Sequence, residues 1–130
     1  MNFYIASSFM NVHTVRLVSE KLKEVGHKHT YDWTQNNRAT TLEELRIIGE
    51  EEKNAVMESD FIVVLLPAGK GSHIELGIAL GQRKKIYLYS PDEEINNVEI
   101  ISTFYHLPEV EKVIGTIDEL VETVISQSTV

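Results

Sequence analysis

The chain has 130 residues, 12 Lys and Arg against 20 Asp and Glu for a formal net charge of −8, and no cysteine. That length suits one compact domain over residues 1–130, the acidic balance without a basic stripe argues against nucleic acid as a partner, and the missing thiols exclude disulfides, thiolate metal sites and a cysteine nucleophile. No apolar stretch approaches the ~20 residues of a membrane span and no basic-led leader opens the chain, so it reads as a cytoplasmic protein with no membrane partner.

Phe3 to Ala6 is a short, uninterrupted apolar run of the kind a strand buried on both faces shows. Val15, Val18, Leu22 and Val25 then step by three and four, with Asn11 placed to cap the start of a helix and Gly26 its end. His27 to Trp33 reads as a second strand. Thr41-Leu42-Glu43-Glu44 has capping-box spacing and opens a helix toward Glu58. Phe61 to Leu66 is a third strand and Ile86 to Tyr89 a fourth, separated by a helix from Ser72 to about Arg83. A last helix spans Thr116 to Ser126. Residues 91 to 110 follow no period and fit a loop over an active site or an oligomer contact. Strand and helix alternate without hairpin turns, which predicts an α/β fold of three layers around a parallel sheet.

Ligands of such sheets bind beyond the carboxyl ends of the strands. The tips there are Ser7-Ser8-Phe9, Asp32-Trp33-Thr34, Pro67 to Ser72 and Ser90-Pro91-Asp92. The third is richest: Gly69, Lys70, Gly71 and Ser72 lead into a helix N-terminus, where free N–H groups favour an anion. It is neither a dinucleotide fingerprint nor a P-loop. Glu75 would lie in the first turn of that helix, where the dipole lowers a carboxylate pKa, so it is a candidate nucleophile. Ser72-x-x-Glu75 is equally a capping box, and spacing alone leaves both readings open. On the preceding helix, at ~100° per residue, Glu52 points with Leu45, Ile48, Ala55 and Val56, whereas Glu50 and Glu51 point away. A carboxyl on such a face suits a proton donor, or else curls out to water.

Tyr4, Glu52 and the segment Gly69-x-Gly71-x-x-x-Glu75-Leu76-Gly77, with Phe3-Tyr4-Ile5-Ala6-Ser7-Ser8 and Asp60-Phe61-Ile62-Val63-Val64, together resemble the nucleoside 2-deoxyribosyltransferase family and the related 2′-deoxynucleoside 5′-phosphate N-hydrolases. The resemblance implies a flavodoxin-like or Rossmann-like parallel sheet of about five strands and a homodimer or higher homo-oligomer. It also implies cleavage or transfer of the N-glycosidic bond of a (deoxy)nucleoside or nucleotide, with no cofactor. On the matching positions, Glu75 is the nucleophile, Tyr4 orients it, and Glu52, where the family usually has aspartate, is the acid. Ser7, Ser8, Gly69, Lys70, Gly71 and Ser72 would then border the sugar and its 5′ end, with Asp32 and Trp33 near the base. Two positions depart from the phosphate-binding pattern. Met10 stands where an arginine is expected and Gly69 where a serine is, which leaves Lys70 as the substitute cation. The alternatives are a non-catalytic nucleotide-binding module on the same fold and a glutamate-dependent NAD-cleaving relative.

His27-x-His29 falls short of the three or four ligands that zinc takes, so no metal site is expected. Trp33 either stacks on a nucleobase or plugs the core edge. Gly77 and Gly81, four apart, suit close helix packing.

Overall fold

A computed structural model describes residues 1–128. Five parallel strands form one sheet: β1 (Asn2–Ala6), β2 (Lys28–His29), β3 (Phe61–Leu65), β4 (Lys85–Ser90) and β5 (Val110–Ile114), in the order β2-β1-β3-β4-β5. Helices α1 (Val12–Glu24) and α4 (Ile117–Ser128) pack together on one face. Helices α2 (Leu42–Glu58) and α3 (Lys70–Gly81) pack together on the other. This is the expected three-layer α/β fold, with the flavodoxin-like strand order, whose direction of winding reverses between β1 and β3.

The central strands are buried on both faces, which is why Phe3-Tyr4-Ile5-Ala6 and Phe61 to Leu65 carry no polar alternation. Successive side chains leave a strand on opposite faces. Phe3 therefore stacks on His29 and Phe61, while Tyr4 turns to the α2/α3 layer.

Several boundaries differ from the sequence-based expectations. The second strand keeps only Lys28 and His29, and the chain then folds into a 3₁₀ turn at Trp33–Gln35. β5 lies where no strand was expected. Asn11 does not cap α1 with its side chain; its amide donates to Ser7 Oγ and to the Pro67 carbonyl, tying the first loop to the third. α3 begins at Lys70 with Gly69 as its N-cap, two residues before the expected start. The α2 cap forms in one direction, with Thr41 Oγ1 accepting from the Glu44 N–H while the Glu44 carboxylate accepts from the Thr40 N–H; at α4, where no cap was expected, Thr116 and Glu119 cap each other reciprocally. Among the described residues, no helix is long and apolar enough to cross a membrane.

Candidate active site

Tyr4 is carried by β1 at the winding reversal, Glu52 by the third turn of α2 and Glu75 by the second turn of α3. The three meet. The Tyr4 hydroxyl donates to Glu75 Oε2 at 2.6 Å and lies 3.3 Å from Glu52 Oε2. One phenol has one proton, so the shorter contact is the donation and the longer one orients Glu52. Strand β1 is fixed by pairing with β2 and β3, and α2 and α3 pack on it, so the cluster is set by rigid elements and not by loops.

The sequence placed Glu75 in the first helical turn with a lowered pKa or in a cap with Ser72. The earlier helix start removes both readings. Ser72 Oγ instead accepts from the Gly69 N–H at 3.3 Å, and Glu75 is 6% exposed. Burial pushes its pKa up to about 8, opposed by the Tyr4 hydrogen bond and reinforced by the facing Glu52 carboxyl. The Tyr4 phenol is held far above its ordinary value by burial and by the two carboxyls, so it stays a donor. Glu75 therefore keeps its proton into the neutral range.

The other expected site residues divide. Ser7 is committed to structure: its hydroxyl donates to the Leu65 carbonyl and accepts from Asn11. Asp32 is likewise engaged, accepting from the backbone and hydroxyl of Thr34 and so capping the 3₁₀ turn. Burial alone would raise its pKa, but these hydrogen bonds hold it below the usual carboxylate range. Trp33 is buried and donates from Nε1 to the Ile5 carbonyl at 2.7 Å, which plugs the core edge; its ring also meets Phe9 edge-on and lines a cavity. Ser8 is the exception in the first loop. Its Oγ and His29 Nε2 are the buried side-chain polar atoms without a partner among the described residues. A Cβ on Gly69 would stand 3.8 Å from that of Ser8, so the first and third loops close on each other here. An orphaned buried hydroxyl at such a junction invites a ligand. Lys70 and Gly71 are exposed at the start of α3, and Lys70 makes no hydrogen bond or ion pair among the described residues.

The cavity beside Glu52, about 700 Å³, runs between α2 and the tips of β1 and β2. Phe9, Trp33, Leu45 and Ile48 give it apolar walls, and Asn36, Asn37 and Arg38 a polar edge. Glu75 is one side chain further in, across the Tyr4 hydroxyl from Glu52. The 36–39 stretch was missed in the sequence because it has no period; its one signal was a run of amide and guanidinium side chains just after a strand tip. His73 has a structural role: its ring bonds the Gly69 carbonyl and the Tyr105 hydroxyl, each at 2.8 Å, and so holds the 91–110 segment against α3. Among the described residues, no group of three or more His, Cys, Asp or Glu is arranged to hold a metal ion.

No protein-family model matches this chain, and no curated protein matches it in sequence. Solved structures do resemble it. The CMP N-glycosidase BcmB of Clostridium botulinum is similar over 96% of this chain and 99% of its own, at 17% identity and a TM-score of 0.63. A conserved protein from Enterococcus faecalis V583 gives a TM-score of 0.70 at 14% identity, covering 98% of both chains. BlsM gives 0.65 at 18%, covering 97% of this chain and 92% of its own. At these identities the common property is the fold.

Proposed function

We propose that this protein cleaves the N-glycosidic bond of a (deoxy)nucleoside or its 5′-phosphate through a covalent glycosyl-glutamate on Glu75. The observation that carries the reading is the Tyr4 hydroxyl set between two carboxyls, Glu75 at 2.6 Å and Glu52 at 3.3 Å. Retaining glycoside chemistry needs one carboxylate to trap an oxocarbenium-like carbon and a second carboxyl to manage the proton. That a structural neighbour is a CMP N-glycosidase supports the same class of reaction.

In the first half-reaction, a Glu75 oxygen bonds to the anomeric carbon while the bond from that carbon to the base nitrogen breaks. The electron pair leaves with the base, which takes the proton of Glu52. Water then gives a proton to Glu52 and attacks the same carbon, which returns Glu75 as a carboxylate and releases the sugar. A second base in place of water gives transfer instead. The first step requires Glu75 to give up its proton, which donation from the Tyr4 hydroxyl favours. The 5′ end of the sugar would meet Ser8 Oγ and the start of α3, with Lys70 as the cation for a phosphate.

Incubation with a panel of nucleosides, 5′-nucleotides and NAD, followed by chromatography, should release free base from nucleosides or nucleotides and leave NAD intact. Glu75→Gln should remove that activity, and the wild type quenched during turnover should yield a glycosylated peptide containing Glu75. Nucleotide binding without base release, or undiminished turnover in Glu75→Gln, would overturn the assignment.

We further infer a homo-oligomer formed through α3. From Ile74 to Gly81 every residue of this helix but Glu75 is apolar or glycine, a composition suited to a helix covered on all sides. Yet Ile74 is 65% exposed, and among the described residues nothing outside the helix backbone lies within 4 Å of a Cβ built on Gly77 or Gly81. The close packing that those glycines permit is left for a second copy.

A further inference from the structure

The cavity beside Glu52 is selective in its chemistry, and this inference rests on the reading of Glu52 as the acid that protonates the departing base. A base receiving that proton must lie against Glu52, and the cavity there has an apolar lining from Phe9 and Trp33 and from Leu45 and Ile48 on α2. What distinguishes one base from another is the polar edge. Asn36 has its Oδ1 taken by the Tyr31 hydroxyl at 3.0 Å, which leaves its NH₂ as the group to offer. Arg38 is exposed, makes no hydrogen bond or ion pair among the described residues, and carries five N–H donors and no acceptor. With Asn37, whose amide can donate or accept, Asn36 and Arg38 make up the polar border of the cavity.

We propose that Asn36 and Arg38 read carbonyl oxygens, so that the protein prefers keto bases (hypoxanthine, guanine, uracil, thymine) to amino bases (adenine, cytosine). A donor edge matched to a carbonyl gains charge-assisted hydrogen bonds. The same edge set against an exocyclic amine leaves donor facing donor and both desolvated, which is the stronger basis for rejection.

The test uses substrate pairs that differ at that position and at the ring nitrogen beside it: the 5′-monophosphates of inosine and adenosine and of uridine and cytidine, with their 2′-deoxy counterparts. Within each pair, kcat/KM for base release is expected to favour the keto member by about tenfold or more. Arg38→Met should bring the ratio below about threefold, and Asn36→Asp, which exchanges a donor for an acceptor, should move it toward the amino base. A ratio near one in the wild type, a preference for the amino base, or a ratio that neither variant changes would overturn the inference. Calorimetry of the same nucleotides on Glu75→Gln separates this from failure of the catalytic reading. Preferential keto binding with no base released by the wild type would sink the enzyme assignment alone. Base release without discrimination would sink the keto assignment alone, and absence of binding by any nucleotide would sink both.

Discussion

Glu75, which is buried, and His29, which is half-buried, both titrate abnormally, and they move stability with pH in opposite directions. Glu75 has a folded pKa of about 8 against an ordinary 4.5, because burial, then the facing Glu52, disfavours its charge. Between those values the folded state holds the extra proton, so the contribution of Glu75 is present at low pH and is lost as pH rises through about 8. Glu75→Gln removes that liability. Its melting temperature should exceed that of the wild type by more at about pH 9 than at about pH 5, even though turnover is gone. An equal difference at both pH values would contradict the burial argument. His29 behaves in the converse way. Burial, with Lys23 nearby, brings it down to about 4 from an ordinary 6.5, with Asp32 opposing; it is stacked on Phe3 with Nδ1 on Ser19 and Nε2 unpartnered. Between 6.5 and 4 the unfolded chain binds the proton that the folded chain refuses, so stability falls as pH falls through that window, by up to roughly 3 kcal/mol. Urea titrations at about pH 7 and about pH 4.5 should show that loss, and His29→Gln should lose clearly less.

Helices α1 and α3 end in the same way with different residues at the decisive place. After α1, Gly26 at φ 96° donates to the Lys23 carbonyl and His27 to that of Leu22. After α3, Arg83 at φ 56° donates to Leu80 and Lys84 to Ala79. Both are Schellman closures, whose left-handed position glycine occupies without steric cost and arginine does not. Arg83→Gly should therefore stabilise the protein by about 0.5–1 kcal/mol, read as a higher urea midpoint with unchanged m. The sequence marked Arg83 only as the approximate end of the helix, because the sign of a backbone angle is not visible in a sequence. The same limit explains the misplaced start of α3: Gly69 and Gly71 read as loop, whereas one caps the helix and the other lies in its first turn. Strands β1, β3 and β4 were legible because both of their faces are buried. β5 was not, since the Glu111 and Lys112 within it are those of an edge strand. Of the candidate site, the helix face of Glu52 came from angular arithmetic. The meeting of Tyr4 with residues 48 and 71 positions away came only from the family resemblance, since no local pattern encodes a contact at that separation.

Some of the exposed apolar residues lie on the layer that carries both carboxyls. Besides Ile74 on α3, Leu42 and Leu45 on α2 are more than half exposed, although α2 is otherwise amphipathic. Exposed apolar residues on α2 and α3 suit an association surface. Sedimentation should find a dimer or larger species for the wild type, and Ile74→Glu should shift it to monomer while circular dichroism stays unchanged. A wild-type monomer at micromolar concentration would remove the proposal. Because α2 and α3 hold Glu52 and Glu75, loss of association should also lower base release.

The register of β1 carries a further consequence. Its long partner is β3, with Tyr4 opposite Ile62, whereas its pairing with β2 is confined to Asn2 and Phe3. On the ribosome, the run Phe3 to Ala6 thus emerges well before the segment that will flank it, a delay of several seconds at ordinary elongation rates. A nascent chain stalled short of residue 61 would display an unmated, wholly apolar strand, the form of the polypeptide that chaperones capture.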